Sequence, residues 1–281
     1  MSSGTGDKFE IDALGDAALL LRFGERIDTA LNARVQAVAR ALRDARVLGV
    51  RELVPAYACI AVHYDPRVWV DATTHEAPHL RIAARLRELA AFVLEQKQER
   101  PLTPTLSPNG QAVGGEGAST RRAINLSLSP DGSNVGGEGW GEGALVEIPV
   151  CYDGEFGPDL GEVAEHAKLA QAEVIALHTA SEYHVAMLGF APGFPYLLGL
   201  DARLHAPRRA SPRTRVPAGS VAIGGAQTGI YPRELPGGWR LIGRTPLTLF
   251  DAQRDPPALL APGQRVRFRA ISAQEFAALT R

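Results

Sequence analysis

Apolar and polar positions alternate along residues 9–23 on either side of Gly15-Asp16, which predicts two strands joined by a tight turn. The period then lengthens: Leu31, Val35, Val38 and Leu42 recur at helical spacing behind Asp28, a residue able to cap a first turn. Strand-like runs return at Arg51–Ala56 and Tyr57–Tyr64. In the second run Ala58, Ile60 and Val62 share one face while Cys59 and Ala61 share the other, the mark of a central strand. A second helix is expected over His79–Gln96, with Leu86, Leu89 and Val93 on one side, followed by a strand over Leu145–Val150. This order predicts a small α+β sandwich, one sheet covered on one side by two helices.

Residues 100–143 break the pattern. They are rich in Gly, Pro and Ser, and Leu106–Gly117 returns 22 residues later as Leu128–Gly139 with nine of twelve positions identical. A solenoid needs about three repeats and a buried face, so this stretch reads as a disordered surface insertion. Beyond Tyr152, two short helical patterns (159–169 and 172–178) lead into short strands separated by Pro192-Gly193, Gly224-Gly225 and Pro236-Gly237-Gly238. Such punctuation predicts a barrel or sandwich, closed by a strand over 265–271 and a helix over 273–279. The expected domains are residues 1–99 with 144–150, then the insertion 100–143, then 151–281.

Composition narrows the function. The net charge of -1 argues against a general nucleic-acid binder. No run reaches the roughly 20 apolar residues that span a bilayer, and the first residues lack the apolar core of a signal peptide, so a cytoplasmic protein without membrane contact is expected. Only Lys8, Lys97 and Lys168 are lysines; the remaining basic charge is arginine, whose planar fork suits carboxylates and phosphates. Cys59 and Cys151 sit in apolar runs with no metal spacing, and no metal site is expected. There is no G-x-x-x-x-G-K-[ST] loop, no G-x-S-x-G elbow and no H-E-x-x-H helix.

Candidate chemistry concentrates in three segments. In Gly189-Phe-Ala-Pro-Gly-Phe-Pro-Tyr-Leu197, the residues Gly189, Phe190, Pro192, Gly193 and Phe194 fix either a turn stapled by aromatics or a backbone cradle for a small ligand. In Pro207–Pro217, prolines stiffen a run that includes Arg208, Arg213 and Arg215, so it is either a solvated basic face or an anion site. Gln227, Tyr231, Trp239 and Arg244 follow between glycines. Arg213, Arg215 and Gln227 are the candidate catalytic residues; the others are candidate substrate contacts.

These segments, with Tyr183–Leu197, Ser211–Ile223, Gln227–Pro232, Pro236–Pro246, Gly15-Asp-Ala-Ala-Leu and Glu52–Tyr57, resemble the allophanate-hydrolase-subunit-1 family. That family includes the B component of 5-oxoprolinase and an inhibitor of a sporulation sensor kinase. The resemblance implies an α+β N-terminal domain followed by a mainly-β cyclophilin-like barrel domain. It also implies a heteromeric enzyme with 5-oxoprolinase subunits C and A, which opens the lactam of 5-oxo-L-proline to L-glutamate. ATP, with Mg2+, is then the expected co-substrate, in a site shared with or supplied by a partner subunit. Two alternatives stay open: a regulatory protein that inhibits a sensor histidine kinase, and a carboxyltransferase-like domain acting on an amide or urea-type substrate.

Overall fold

A computed structural model describes residues 9–71, 73–74, 76–96 and 145–280, and the chain divides into two compact units, residues 1–120 and 121–281. The insertion expected over 100–143 lies outside the described residues. Among the described residues, no helix is long and apolar enough to cross a membrane.

In the first unit, β1 (Glu10–Ala13), β2 (Ala18–Arg22), β3 (Val50–Pro55) and β4 (Cys59–Tyr64) form an antiparallel sheet in the order β1-β2-β4-β3. β4 lies inside the sheet, as its two apolar faces require. Its Ile60 and Val62, with Leu19 and Leu21 of β2, meet Val35, Val38 and Leu42 of α1 (Thr29–Asp44) and Ile82 and Leu86 of α2 (Pro78–Gln96) in one core. Asp28 begins α1 as its position suggests: its Oδ1 accepts the Leu31 N–H at 2.7 Å.

The second unit is built on a closed seven-stranded barrel. Its strands are β5 (Leu145–Cys151), β6 (Tyr183–Leu188), β7 (Pro195–Leu198), β9 (Ser220–Gly224), β10 (Gln227–Ile230), β12 (Arg240–Arg244) and β13 (Arg265–Ile271). They run in the order β10-β7-β6-β13-β5-β12-β9, and closure leaves no free edge. A two-stranded ribbon, β8 (Arg213–Val216) with β11 (Leu235–Gly237), stands apart from the barrel. Helices α3 (Leu160–Ala167), α4 (Gln171–Ala180) and α5 (Ala273–Leu279) complete the unit.

One expectation is corrected here. The strand anticipated over 145–150 belongs to the barrel and not to the N-terminal sheet. β5 pairs in parallel with β13 along its whole length, from Leu145 opposite Arg265 to Cys151 opposite Ile271. Val146, Ile148 and Val150 are fully buried in the barrel core beside Val266 and Phe268. An apolar run records that a strand is buried, not which sheet buries it.

The barrel core also encloses a polar chain. His178 of α4 is fully buried, and Tyr152 Oη lies 2.8 Å from its Nδ1. Its Nε2 is 3.1 Å from Thr228 Oγ1, whose hydroxyl donates to the Ala222 carbonyl at 3.0 Å. Since Thr228 spends its proton on Ala222, it accepts from His178 Nε2–H, and Nδ1 accepts from Tyr152. The imidazole is therefore neutral and fully satisfied, and burial pushes its pKa down to about 3.

Candidate functional site

Alternation along the barrel strands puts Val221, Ile223, Ile230 and Ile242 inside and Ala222 and Leu241 outside. On that outer wall, Ala222 and Leu241 join Ala191, Phe194, Tyr231, Trp239 and Val216 in a second core, with Tyr196 and Leu235 packed against it. Phe194 is its centre. Its ring lies 4.9 Å from Tyr196, 5.2 Å from Tyr231 and 5.8 Å from Trp239, centroid to centroid.

Gly224 allows this layer to sit close to the barrel. A methyl group in place of its hydrogen would fall 2.5 Å from Trp239 Cδ2, so the indole lies directly on β9. Gln227 stands opposite Gly224 in the β9–β10 hairpin. Opposed residues in an antiparallel pair share a face at a Cβ separation of about 5 Å, so Gln227 shares the face on which Trp239 lies. It is only 8% exposed, and its carboxamide forms no hydrogen bond among the described residues.

The loop 189–194 joins β6 to β7 and borders the same layer. Gly189 N–H donates to the Phe194 carbonyl at 3.1 Å and Phe194 N–H to the Ala191 carbonyl at 3.0 Å. Gly193, next to Pro192 at the loop's tip, has φ +78° and approaches Phe250 too closely for a side chain. Phe190 has φ +68°, a strained conformation for an aromatic residue, yet is 64% exposed with its ring edge-on to Phe194 at 5.7 Å. Strain that presents an apolar ring to solvent is a mark of a contact surface.

The arginine run separates into different roles. Arg213 makes a two-point contact with Asp159, with both N–O distances at 2.7 Å, and Arg209 reaches the same carboxylate at 3.0 Å. Asp159 is 1% exposed and also accepts the Leu241 N–H at 2.7 Å. Burial works against its ionised form, but Arg213, the Leu241 amide and Arg209 outweigh it and hold the carboxyl below its usual range. Arg240 pairs with Glu162 and donates to the Pro207 carbonyl. Arg215 points outward, 81% exposed, beside Glu234 at 3.2 Å.

Of the four arginines singled out from the sequence, Arg208 alone faces the aromatic layer. Its Cζ lies 5.8 Å from the centroid of Trp239, and among the described residues it has no ion pair. Backbone bonds fix it there: Ala206 bridges Gly225 in both directions, and Arg209 N–H donates to the Gly238 carbonyl at 2.7 Å.

The structure therefore brings Phe190, Phe194, Arg208, Gln227, Tyr231 and Trp239 to one face, with Gly189, Pro192 and Gly193 in its bordering loop. Phe194 and Tyr231 are its buried floor, and Gly237 leaves space for the Tyr231 hydroxyl. Arg213 is engaged in the support beneath, Arg215 is outside, and Arg244 lies at the far end of β12, four residues or about 13 Å from Arg240. Asp159, the hub of that support, enters the sequence analysis only as the start of a helical pattern and not as a site residue. The signal available was an acid after Gly157-Pro158 at the head of a helix, which reads as a cap.

Comparison with known proteins decides the family. The model described as carboxyltransferase domain, subdomain C and D, matches residues 9–105 and 133–260. This chain belongs to that family. It is 39% identical over 274 residues to the B component of 5-oxoprolinase from Bacillus subtilis (strain 168), covering 96% of this chain and 95% of that protein. It is 59% identical over 127 residues to the B component of 5-oxoprolinase from Escherichia coli O157:H7, covering 45% of this chain and 58% of the relative. Among solved structures, the protein TTHA0988 matches with a TM-score of 0.64 and 35% identity over 91% of this chain, which spans 40% of that longer protein. The matched residues include the aromatic face and six of the seven barrel strands; β13 lies beyond them.

Proposed function

We propose that this chain is the B component of an ATP-dependent 5-oxoprolinase, which opens the lactam of 5-oxo-L-proline to L-glutamate with partner subunits C and A. The observation that carries this reading is the pair of unclaimed groups on one aromatic face. Arg208 offers a planar cation suited to a carboxylate, and Gln227 offers a carboxamide suited to a lactam, which presents one N–H and one C=O. Trp239 and Phe190 supply apolar contact for the ring methylenes between them. The names of the B. subtilis and E. coli relatives support the same substrate and the same dependence on other subunits.

An unstrained lactam is a poor electrophile, and ATP would supply the activation that makes its carbonyl attackable. The residues on this face do not fit Mg2+ and ATP. The neighbouring carboxylates Asp159 and Glu162 are already taken by arginines, and no group of three His, Cys, Asp or Glu residues able to hold a metal occurs among the described residues. We assign ATP to the partner subunits and lactam positioning to this chain. Arg208 would hold the substrate carboxylate, and Gln227 would orient the amide for attack.

The deciding experiment is ATP turnover with and without 5-oxo-L-proline, on this chain alone and co-expressed with partner subunits C and A. The expected result is lactam-dependent ATP hydrolysis and glutamate release from the assembly only. A verified assembly that hydrolyses no lactam would overturn the proposal.

A further inference from the structure

At the far end of β12, a second group of polar atoms lacks partners. Arg244 is half-buried with its Cζ 5.5 Å from the centroid of Phe156, and among the described residues its guanidinium has no hydrogen bond or ion pair. Its Nε is buried without an acceptor. Directly opposite on β9 stands Ser220, 1% exposed, and its hydroxyl is likewise buried without a partner. The two face the same way, because they oppose each other in an antiparallel ladder. Gly219 leaves room for the arginine stem: a methyl there would be 3.3 Å from Arg244 Cγ and 2.3 Å from the Thr245 carbonyl oxygen. Across the other edge of β12, Arg244 opposes Cys151, whose thiol is 3.8 Å from Asp153. No carboxylate among the described residues, Asp153 included, comes within ion-pair distance of Arg244.

Buried polar groups are almost always paired, and a buried guanidinium nitrogen is among the costliest to leave alone. Two unpaired donors in one row, one of them cationic, call for a common acceptor that carries negative charge. We propose that Arg244 and Ser220 form an oxyanion-binding site, separate from the Trp239 face, that takes a phosphate or carboxylate group. The guanidinium supplies the charge and the fork, the serine hydroxyl supplies a third donor, and Phe156 fixes the guanidinium plane from one side. This assignment stands whether or not the chain works in an oxoprolinase.

The test uses the full chain and two probes, inorganic phosphate and acetate, each titrated at constant ionic strength against chloride while binding heat and unfolding temperature are followed. Saturable binding of phosphate alone, or of acetate alone, supports the site and identifies the group it takes. Arg244→Gln should abolish that binding, and Arg215→Ala, at an exposed arginine outside both sites, should leave it unchanged. Ser220→Ala guards against a misfolded arginine variant, because it removes a hydroxyl with no partner in the fold. It should fold normally, gain a little stability in anion-free buffer, and bind the anion on the order of ten-fold more weakly. No saturable binding of either probe, or Ser220→Ala binding as tightly as the parent, would overturn the proposal.

Discussion

The carboxylate of Asp159 and the guanidinium of Arg213 meet in a two-point contact under a surface that leaves the aspartate almost wholly buried. The pair joins the head of α3 to β8, and through Leu241 N–H it reaches β12 as well. Removing the charge leaves two arginines facing an uncharged amide. Asp159→Asn should therefore cost about 3 kcal/mol of unfolding free energy, read by urea denaturation. Arg215→Ala, at an exposed pair, should change it by less than about 0.5 kcal/mol.

The same carboxyl sets an acid limit. Its pKa is lower in the folded protein than in the unfolded chain, so its contribution is fully present above the unfolded value of about 4 and is lost as pH falls through the folded value. Below pH 4, Asp159→Asn and the parent protein should converge in stability. A gap that stays constant down to pH 2 would contradict the ion-pair account.

If the proposed function holds, Arg208 and Gln227 should give separable kinetic effects in the assembly. Arg208→Ala should raise KM for 5-oxo-L-proline by ten-fold or more, because a charge-assisted bond to a carboxylate contributes about 1.5–3 kcal/mol. Arg208→Lys should recover part of that loss. Gln227→Ala should act more on kcat than on KM, since orientation of the amide counts at the reacting carbonyl. Equal and small changes in both variants would place the substrate elsewhere.

Much of the fold is legible in the chain because the signals are local. Asp28 ahead of an apolar stripe specifies α1, and small residues on both sides of β4 specify an interior strand. β5 was assignable as a strand but not to a sheet, since its partner β13 begins 120 residues later at Arg265, and parallel pairing leaves no turn signal between them. The aromatic face was legible as a composition of Gly, Pro and aromatics. Which arginine serves it was not. Arg208 and Arg213 differ only in what stands opposite them, and Asp159 lies 54 residues from Arg213 in the chain.

Gly224→Ala tests the close seat of Trp239 without touching a polar group. The added methyl would sit 2.5 Å from the indole, so the ring must move. Overpacking of this kind costs about 1–3 kcal/mol, and the displaced ring would no longer carry Arg208. The variant should show altered near-ultraviolet circular dichroism, lower stability and a raised KM for the lactam. Unchanged dichroism would mean that Trp239 does not lie on β9.

His178 gives the barrel a pH dependence distinct from that of Asp159. The imidazole is neutral when folded, with Tyr152 donating to Nδ1 and Nε2–H donating to Thr228, so protonation would add a charge in the core and break the Tyr152 bond. Its folded pKa of about 3 lies below the unfolded value of about 6.5. Between those values the unfolded chain binds a proton that the native protein refuses, so stability falls as pH drops, on the order of 1 kcal/mol per pH unit. Above about pH 6.5 the effect vanishes. Unfolding free energy measured from pH 7.5 to 4.5 should therefore decline with a slope that His178→Gln reduces. That variant should also be less stable at pH 7.5, because a carboxamide cannot span both Tyr152 and Thr228 with the reach of the ring. A parent slope that begins only below pH 4 would assign the acid sensitivity to Asp159 alone and remove His178 from the account.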